Sequence, residues 1–457
     1  MIEYEALVPW PLPDFRWPML QLRPRIPDGS LARLVWRVRQ NAYPFQRYLG
    51  FFVVLLAAKC VLRSLFATGD GCIIFKFATW WLESGLHNPW EYALQVEPAL
   101  RTAPVSPFAY PPLMLFLIAV PRAVTYYLGW PSPEYSPIAA LPMTLMIAAL
   151  DCLSAVILVR VCQVLGWSRQ RSMHVFWAWH LSLVAIYVTY LQTQYDLIPV
   201  FFSLLFVYLA LRRRYFAASL CLCAGILTKS YPLVLLVVYL AMLLNDERLS
   251  PLKRTGILLQ FGLLLGGMGL ATYWPFLGSP AFERQVLRNG EMEHVWFLAV
   301  PLVPNWFPAL YVVIAWYTFL SIYAISTDYR DRGKYLLVCY GLLLPFSTII
   351  YPQPMWFLWA HPFFLLALLY LRRGWFAYLV LNLPYFLHYL YNQWSALTQL
   401  MMYRWYPWPL HKPLITAAAE SLGPDTAVRI HNVLLSILVT AQFAVLLLAL
   451  GGHRPRR

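Results

Sequence analysis

The sequence predicts an all-α polytopic membrane protein: a bundle of about 11–13 transmembrane helices with a long first outer loop carrying short interfacial helices. Three observations predict it. Of 457 residues, 60% are hydrophobic and only 12% are charged, where a soluble domain carries roughly 25% charged residues. Apolar segments recur along the whole chain, at approximately 46–66, 108–128, 139–162, 173–191, 197–211, 215–228, 231–245, 256–277, 301–325, 336–350, 356–371, 374–391 and 431–450. Basic clusters fall between alternate segments, as they do in loops held on the cytoplasmic side of a membrane.

The net charge of +15 does not call for nucleic acid, because a membrane protein gathers cations in cytoplasmic loops facing anionic headgroups. The 20 Trp and 30 Tyr suit interfacial belts or the lining of a lipid groove. Of the seven Cys, all but Cys72 fall in or at the ends of apolar segments, so neither a disulfide framework nor a Cys/His metal spacing is predicted.

In chain order, residues 1–44 form a basic tail with Arg16, Arg23, Arg25, Arg33, Arg37 and Arg39. It reads as cytoplasmic, with a surface helix over 31–40 as the other reading, and it has no apolar core of a secretory signal. Residues 45–245 then form one transmembrane module and 246–457 a second. The first apolar segment leads into an aromatic-rich outer loop, 67–107, which opens with Asp70 between Gly69 and Gly71. A carboxylate at the rim of a bundle suggests function; a helix-ending, solvated Asp is the bland alternative. Residues 72–86 read as an interfacial helix with Ile73, Phe77 and Trp81 on one face and Lys76, Thr79 and Glu83 on another.

Segment 108–128 is expected to be irregular, since Pro111, Pro112, Pro121 and Arg122 interrupt it and two full spans before Arg169 would put that cation outside. Asp151, with Arg160 about two and a half turns later, reads as a buried structural contact. His174 and His180 read as hydrogen-bonding between helices. Arg169/Arg171, Arg212 to Arg214, Arg248/Lys253/Arg254, Arg330/Arg332/Lys334, Arg372-Arg373 and Arg454/Arg456/Arg457 read as cytoplasmic. The outer loops are then 192–196, 229–230, 278–300, 351–355 and 392–430.

The candidate chemistry gathers at those outer ends. Gln192-Thr-Gln194-Tyr-Asp196 ends one segment and starts the next, and Thr228-Lys229-Ser-Tyr-Pro232 breaks an apolar run with a cation. Asp196 also reads as a helix N-cap, and Lys229 as a residue snorkelling to headgroups. His361 in Trp359-Ala-His361-Pro362, His294 after Glu291 and Glu293, and Arg404 in Tyr403-Arg404-Trp-Tyr-Pro-Trp408 are further candidates, each with a structural or solvated alternative.

Taken together, Gly69-Asp70, Asn88-Pro89-Trp90, Phe108-Ala-Tyr110-Pro111-Pro112-Leu113, Gln194-Tyr-Asp196 and Lys229-Ser-Tyr-Pro232 resemble the GT-C superfamily of integral membrane glycosyltransferases. The likeness is nearest to bacterial enzymes that take mannose or a related sugar from a polyprenyl phosphate. The motifs cover about residues 45–245. Two positions depart from the pattern: Gly71-Cys72 follows Asp70 where an aromatic or apolar residue is usual, and Ala109 precedes Tyr110 where some relatives carry a second acid. The resemblance implies an inverting transfer on the outer or luminal face. Asp70 would be the general base. Lys229 and Arg404 would meet the donor phosphate. Asp196 and Gln194 would hold Lys229 or bind sugar hydroxyls, and Tyr110, His361 and His294 would bind substrate.

The implied partners are a polyprenyl-phosphate sugar donor, a lipid or glycan acceptor and membrane lipids, with no nucleic acid. No cofactor and no metal are expected, because the outer loops hold no Asp-x-Asp and the chain has no Gly-rich phosphate loop. A secondary transporter or lipid flippase is the alternative; against it, the two halves show no repeat and the acids cluster at one rim.

Overall fold

The computed structural model describes residues 48–66, 69–101, 108–131, 136, 138–288, 310–350, 354–371, 374–391 and 414–452. The chain divides into two units, Met1–Ala58 and Lys59–Arg457. Among the described residues all regular structure is helical.

The first helix, α1 (Leu49–Leu65), crosses from one unit into the next. Where a loop is expected, α2 (Gly69–Glu83), α3 (Pro89–Val96) and a 3₁₀ turn (Pro98–Arg101) follow. The helix expected at 72–86 therefore starts and stops three residues early. Its expected polar face is corrected too: Thr79 is buried and accepts a bond from Arg122 Nε at 2.8 Å. Asn88-Pro89-Trp90 makes the turn into α3. Asn88 Oδ1 accepts from the Trp90 and Glu91 amides at 3.0 and 3.3 Å, and Pro89 takes the first helical position, where no amide donor is needed. Trp90 is fully buried against Phe77, Phe108, Phe276 and Phe282.

Within segment 108–128, residues 112–127 form an unbroken helix, α4 (Pro112–Tyr127), so the prolines do not interrupt it as expected, but at 16 residues it is one of the shorter apolar helices and not one of membrane length. Pro111 and Pro112 sit at its start, where proline is tolerated, and Pro121 lies within it. Arg122 is buried because Thr79 and Thr125 hydroxyls accept its guanidinium.

Next come α5 (Leu141–Val164) and α6 (Arg169–His180). The chain then breaks: a one-turn helix (Leu183–Ile186) passes into a π turn (Tyr187–Leu191) and a loop in which Thr193 has φ +55°. Beyond it α7 (Leu197–Leu211), α8 (Tyr215–Thr228) and α9 (Leu236–Asn245) run back and forth, α9 being entered through a 3₁₀ turn, Tyr231–Leu235. The second half adds α10 (Pro251–Tyr273), α11 (Leu310–Ile325), α12 (Arg332–Pro345), α13 (Pro354–Leu368), α14 (Gly374–Tyr391), α15 (Leu414–Leu422) and α16 (Pro424–Gly452).

Among the described residues four stretches are long and apolar enough to cross a membrane: Leu141–Val164, Arg169–Leu191, Pro251–Phe276 and Pro424–Gly451. Seven shorter apolar helices of 10–17 residues accompany them. Burial separates two kinds of helix. From Gly333 to Pro345, α12 is buried at every position but Lys334, as befits a helix apolar all round and enclosed by others. On α10, Leu252, Leu259, Leu263 and Leu270 are all more than half exposed, as is Trp274 just past its end. Water would not tolerate so large an apolar face, whereas hydrocarbon does.

Candidate functional site

Three of the sequence-predicted residues meet at one end of α7 and α8. Lys229, the residue that ends α8, has extended backbone, and its ammonium donates to Asp196 Oδ1 at 2.7 Å. The Trp359 indole N–H, from α13, donates to the same oxygen at 2.5 Å. The ammonium also lies 4.8 Å from the Tyr110 ring centre and 4.9 Å from that of Trp359, within cation–π range of both. Tyr231 stacks on Trp359 with ring centres 4.0 Å apart.

Burial grades outward through this cluster. The Asp196 side chain is 1% exposed and that of Lys229 is 15% exposed. A buried carboxylate thus anchors a cation that is itself largely buried, beside two aromatic faces. A charge-assisted bond in a largely dry setting is short and directional. The arrangement offers a fixed positive charge with aromatic walls, which suits an anionic or sugar-bearing ligand.

Both bland readings of these charges are set aside by the geometry. Asp196 occupies the N-cap position of α7 but makes no capping bond, since its carboxylate is turned to Lys229 and Trp359. Lys229 does not snorkel: its ammonium is held by Asp196.

The loop carrying Asp196 is held by a residue that the sequence reading overlooked. Arg63, 2% exposed near the end of α1, donates to the Thr189 carbonyl, to that of Thr193 at 3.1 Å and to that of Gln194 at 3.5 Å. The π turn and the left-handed Thr193 free these carbonyls from helical pairing, and buried carbonyls need donors. A guanidinium supplies several from one side chain. Gln194 itself is 2% exposed and gives Arg63 its backbone carbonyl.

Trp359 was the second omission. The motif Trp359-Ala-His361-Pro362 drew attention to His361, but two residues along a helix is a turn of about 200°. His361 is fully buried and meets the Ser182 hydroxyl through Nε2 at 2.6 Å. An indole at the outer end of a segment, facing a buried acid, was the available signal.

The buried contact expected at Asp151 has a different partner. Arg160 bonds Gln163 on an exposed face. Asp151 pairs instead with Lys59 of α1, through Oδ2 at 3.0 Å, and accepts from Tyr190 at 2.7 Å and the Trp179 indole at 2.7 Å. Lys59 Nζ also lies 3.2 Å from His180 Nδ1, so His180 bonds between helices as expected. Two opposite charges in separate apolar segments, 46–66 and 139–162, were the signal for this pair.

Asp70 is the second residue of α2; its side chain lies outside the described part, as do His294 and Arg404. The helix it opens touches the Asp196 loop one and a half turns on, where the Phe75 and Tyr195 rings meet at 5.7 Å. Among the described residues no three His, Cys, Asp or Glu side chains gather as metal ligands. No protein-family model matches the chain, and no curated protein matches it in sequence.

Proposed function

We propose that this chain is an integral membrane glycosyltransferase of the GT-C type. It moves a sugar, mannose being the leading choice, from a polyprenyl-phosphate donor to a lipid or glycan acceptor. One observation supports the reading: Tyr110, Asp196 and Lys229, from three of its five sequence motifs, meet around a single ammonium group.

In this reading the acceptor hydroxyl attacks the anomeric carbon from one face of the sugar. Its proton passes to the Asp70 carboxylate, and the bond to the phosphate oxygen breaks on the opposite face, inverting the centre. Negative charge grows on the departing phosphate. Lys229 meets it, and Asp196 holds the ammonium ready so that little reorganisation is needed. Tyr110 and Trp359 wall the cation from bulk water. The end of the bundle carrying this cluster faces the outer or luminal side, and the arginine-rich end faces the cytoplasm.

The buried Lys59–Asp151–His180 cluster is the feature that best suits a secondary transporter or flippase, where charges inside the bundle mark ion paths. Both charges are 1% exposed and bonded to internal partners, which suits a clamp between helices.

The test is direct. Purified protein is incubated with radiolabelled polyprenyl-phosphate mannose and a lipid extract, and the products are separated. A labelled product is expected, unaffected by EDTA and not formed from UDP- or GDP-mannose. No transfer from any polyprenyl-phosphate sugar, or a requirement for a sugar nucleotide, would overturn the proposal.

A further inference from the structure

At the other end of the same helices lies a second, unrelated feature. Asp196 and Lys229 stand where α7 begins and α8 ends; Arg213 stands in the turn between them, at the far ends of both. A 15-residue helix is about 22 Å long, so the two places are well separated. Around Arg213 the loops after α5, α7, α9, α11 and α13 enclose a cavity of about 910 Å³.

Its lining carries five cations, Arg213, Arg248, Arg330, Arg332 and Lys334, against three acids, Glu247, Asp328 and Asp331. The acids are already engaged. Asp331 pairs with Lys334 at 3.1 Å, Glu247 lies 3.7 Å from Arg330, and Asp328 accepts the Arg330 amide at 2.7 Å. Arg213 is anchored from behind by the buried Asp246, at 2.9 Å. Arg248 and Arg332 have no carboxylate partner among the described residues.

The cations are also drawn together by one ring. The Arg213 guanidinium lies 4.4 Å from the Tyr329 ring centre and that of Arg332 lies 5.7 Å from it. Tyr329 is itself buried, its hydroxyl donating to the Ala210 carbonyl at 3.3 Å. Arg213 takes φ +58° because it closes the helix before it: its amide donates to the Ala210 carbonyl and that of Arg214 to the Leu209 carbonyl, both at 2.9 Å. The fold thus holds two like charges at a single ring and leaves a further guanidinium across the cavity without an acid. Two guanidinium groups held at one ring are not the mark of a freely solvated basic rim. Guanidinium groups that line one cavity can meet the oxygens of a phosphate as paired donors.

We infer that this cavity is a binding site for a phosphate group, held by Arg248 and Arg332 with Arg213 behind them. The phosphate comes either from an anionic lipid headgroup or from a free phosphate, and the test separates these sources. The site is independent of the proposed glycosyl transfer.

The full chain in neutral detergent is titrated, at constant ionic strength, with inorganic phosphate, with pyrophosphate and with short-chain phosphatidic acid, and binding is read by calorimetry. Saturable binding of at least one of these is expected. The Arg248→Gln/Arg332→Gln double variant should bind about tenfold to a hundredfold more weakly, since hydrogen bonds to a charged group are lost. Arg212→Gln, an exposed cation on the same rim that does not line the cavity, should bind as the parent does. Arg332→Lys, which keeps the charge but not the fork, should fall between the two. Melting curves without ligand check that each variant is folded. Binding of phosphatidic acid alone assigns the lipid as the source; binding of inorganic phosphate or pyrophosphate as well shows that the phosphate group suffices. Absence of saturable binding, equal affinity in the folded double variant, or an equal loss in Arg212→Gln would each overturn the site.

Discussion

At the scale of residues, the Lys229 ammonium is the point on which the proposed chemistry turns. Lys229→Ala should impair use of the donor, while Lys229→Arg keeps part of it, because both charge and position matter at a leaving phosphate. The alanine variant should also melt earlier. It strands Asp196, 1% exposed, with the Trp359 N–H as its remaining donor among the described residues, and an uncompensated buried charge costs about 3–5 kcal/mol. Donor KM and kcat that are both unchanged in Lys229→Ala would remove Lys229 from the mechanism. Asp70 tests the other half of the reaction. As general base, Asp70→Asn should cost roughly 10²–10⁴-fold in turnover while leaving the melting curve in place. Asp70→Glu should also be poor, because a displaced base is badly aimed. A helix-terminus role predicts the opposite, since Asn serves well there; near-parental turnover in Asp70→Asn would end the catalytic assignment.

At the scale of elements, two basic residues of α1 hold irregular parts of the bundle. Arg63 satisfies carbonyls of the π turn and the loop beyond it. Arg63→Met should leave buried acceptors unmet, at about 1–3 kcal/mol each, and should lower activity as well by loosening the loop that carries Asp196. Arg63→Lys should restore only part of the melting temperature, having one compact head in place of a planar fork. A melting curve unchanged in Arg63→Met would show that the loop holds itself. One turn earlier, Lys59 neutralises Asp151. Lys59→Met should destabilise by about 3–5 kcal/mol, whereas Lys59→Met/Asp151→Leu should recover most of that loss, because an apolar pair can replace a buried ion pair. If the double variant is no more stable than the single, the cluster does more than join helices.

At the scale of the whole molecule, the helices set a polarity. The Asp196–Lys229 cluster and the basic cavity lie at opposite ends of α7 and α8. Cysteines at two exposed positions should report this: Ser230→Cys beside the cluster and Ser326→Cys beside the cavity. In intact cells a membrane-impermeant maleimide should label the first, and the second only after permeabilisation. Labelling of both from one side would contradict a bundle that spans the bilayer between them.

The helical, membrane-type character of the chain was legible in its sequence, because apolar runs in a low-charge composition have few other uses. Asp196 and Lys229 were legible as charges with a partner to find, since a charge that interrupts an apolar run is costly, and they pair with each other; Tyr110 stood out only through the resemblance. Which charges pair was not legible. Asp151 meets Lys59 and not its sequence neighbour Arg160, because pairing depends on which helix faces come together. Segment 108–128 likewise looked broken by its prolines, yet Thr79 and Thr125 give Arg122 a buried home and the helix continues. Arg63, Trp359 and the gathering of cations at Tyr329 depend on contacts between segments more than a hundred residues apart. Local sequence sets what each segment can be; only packing sets which side chains share a site, because that sharing is decided by the segments' mutual arrangement and by no single segment alone.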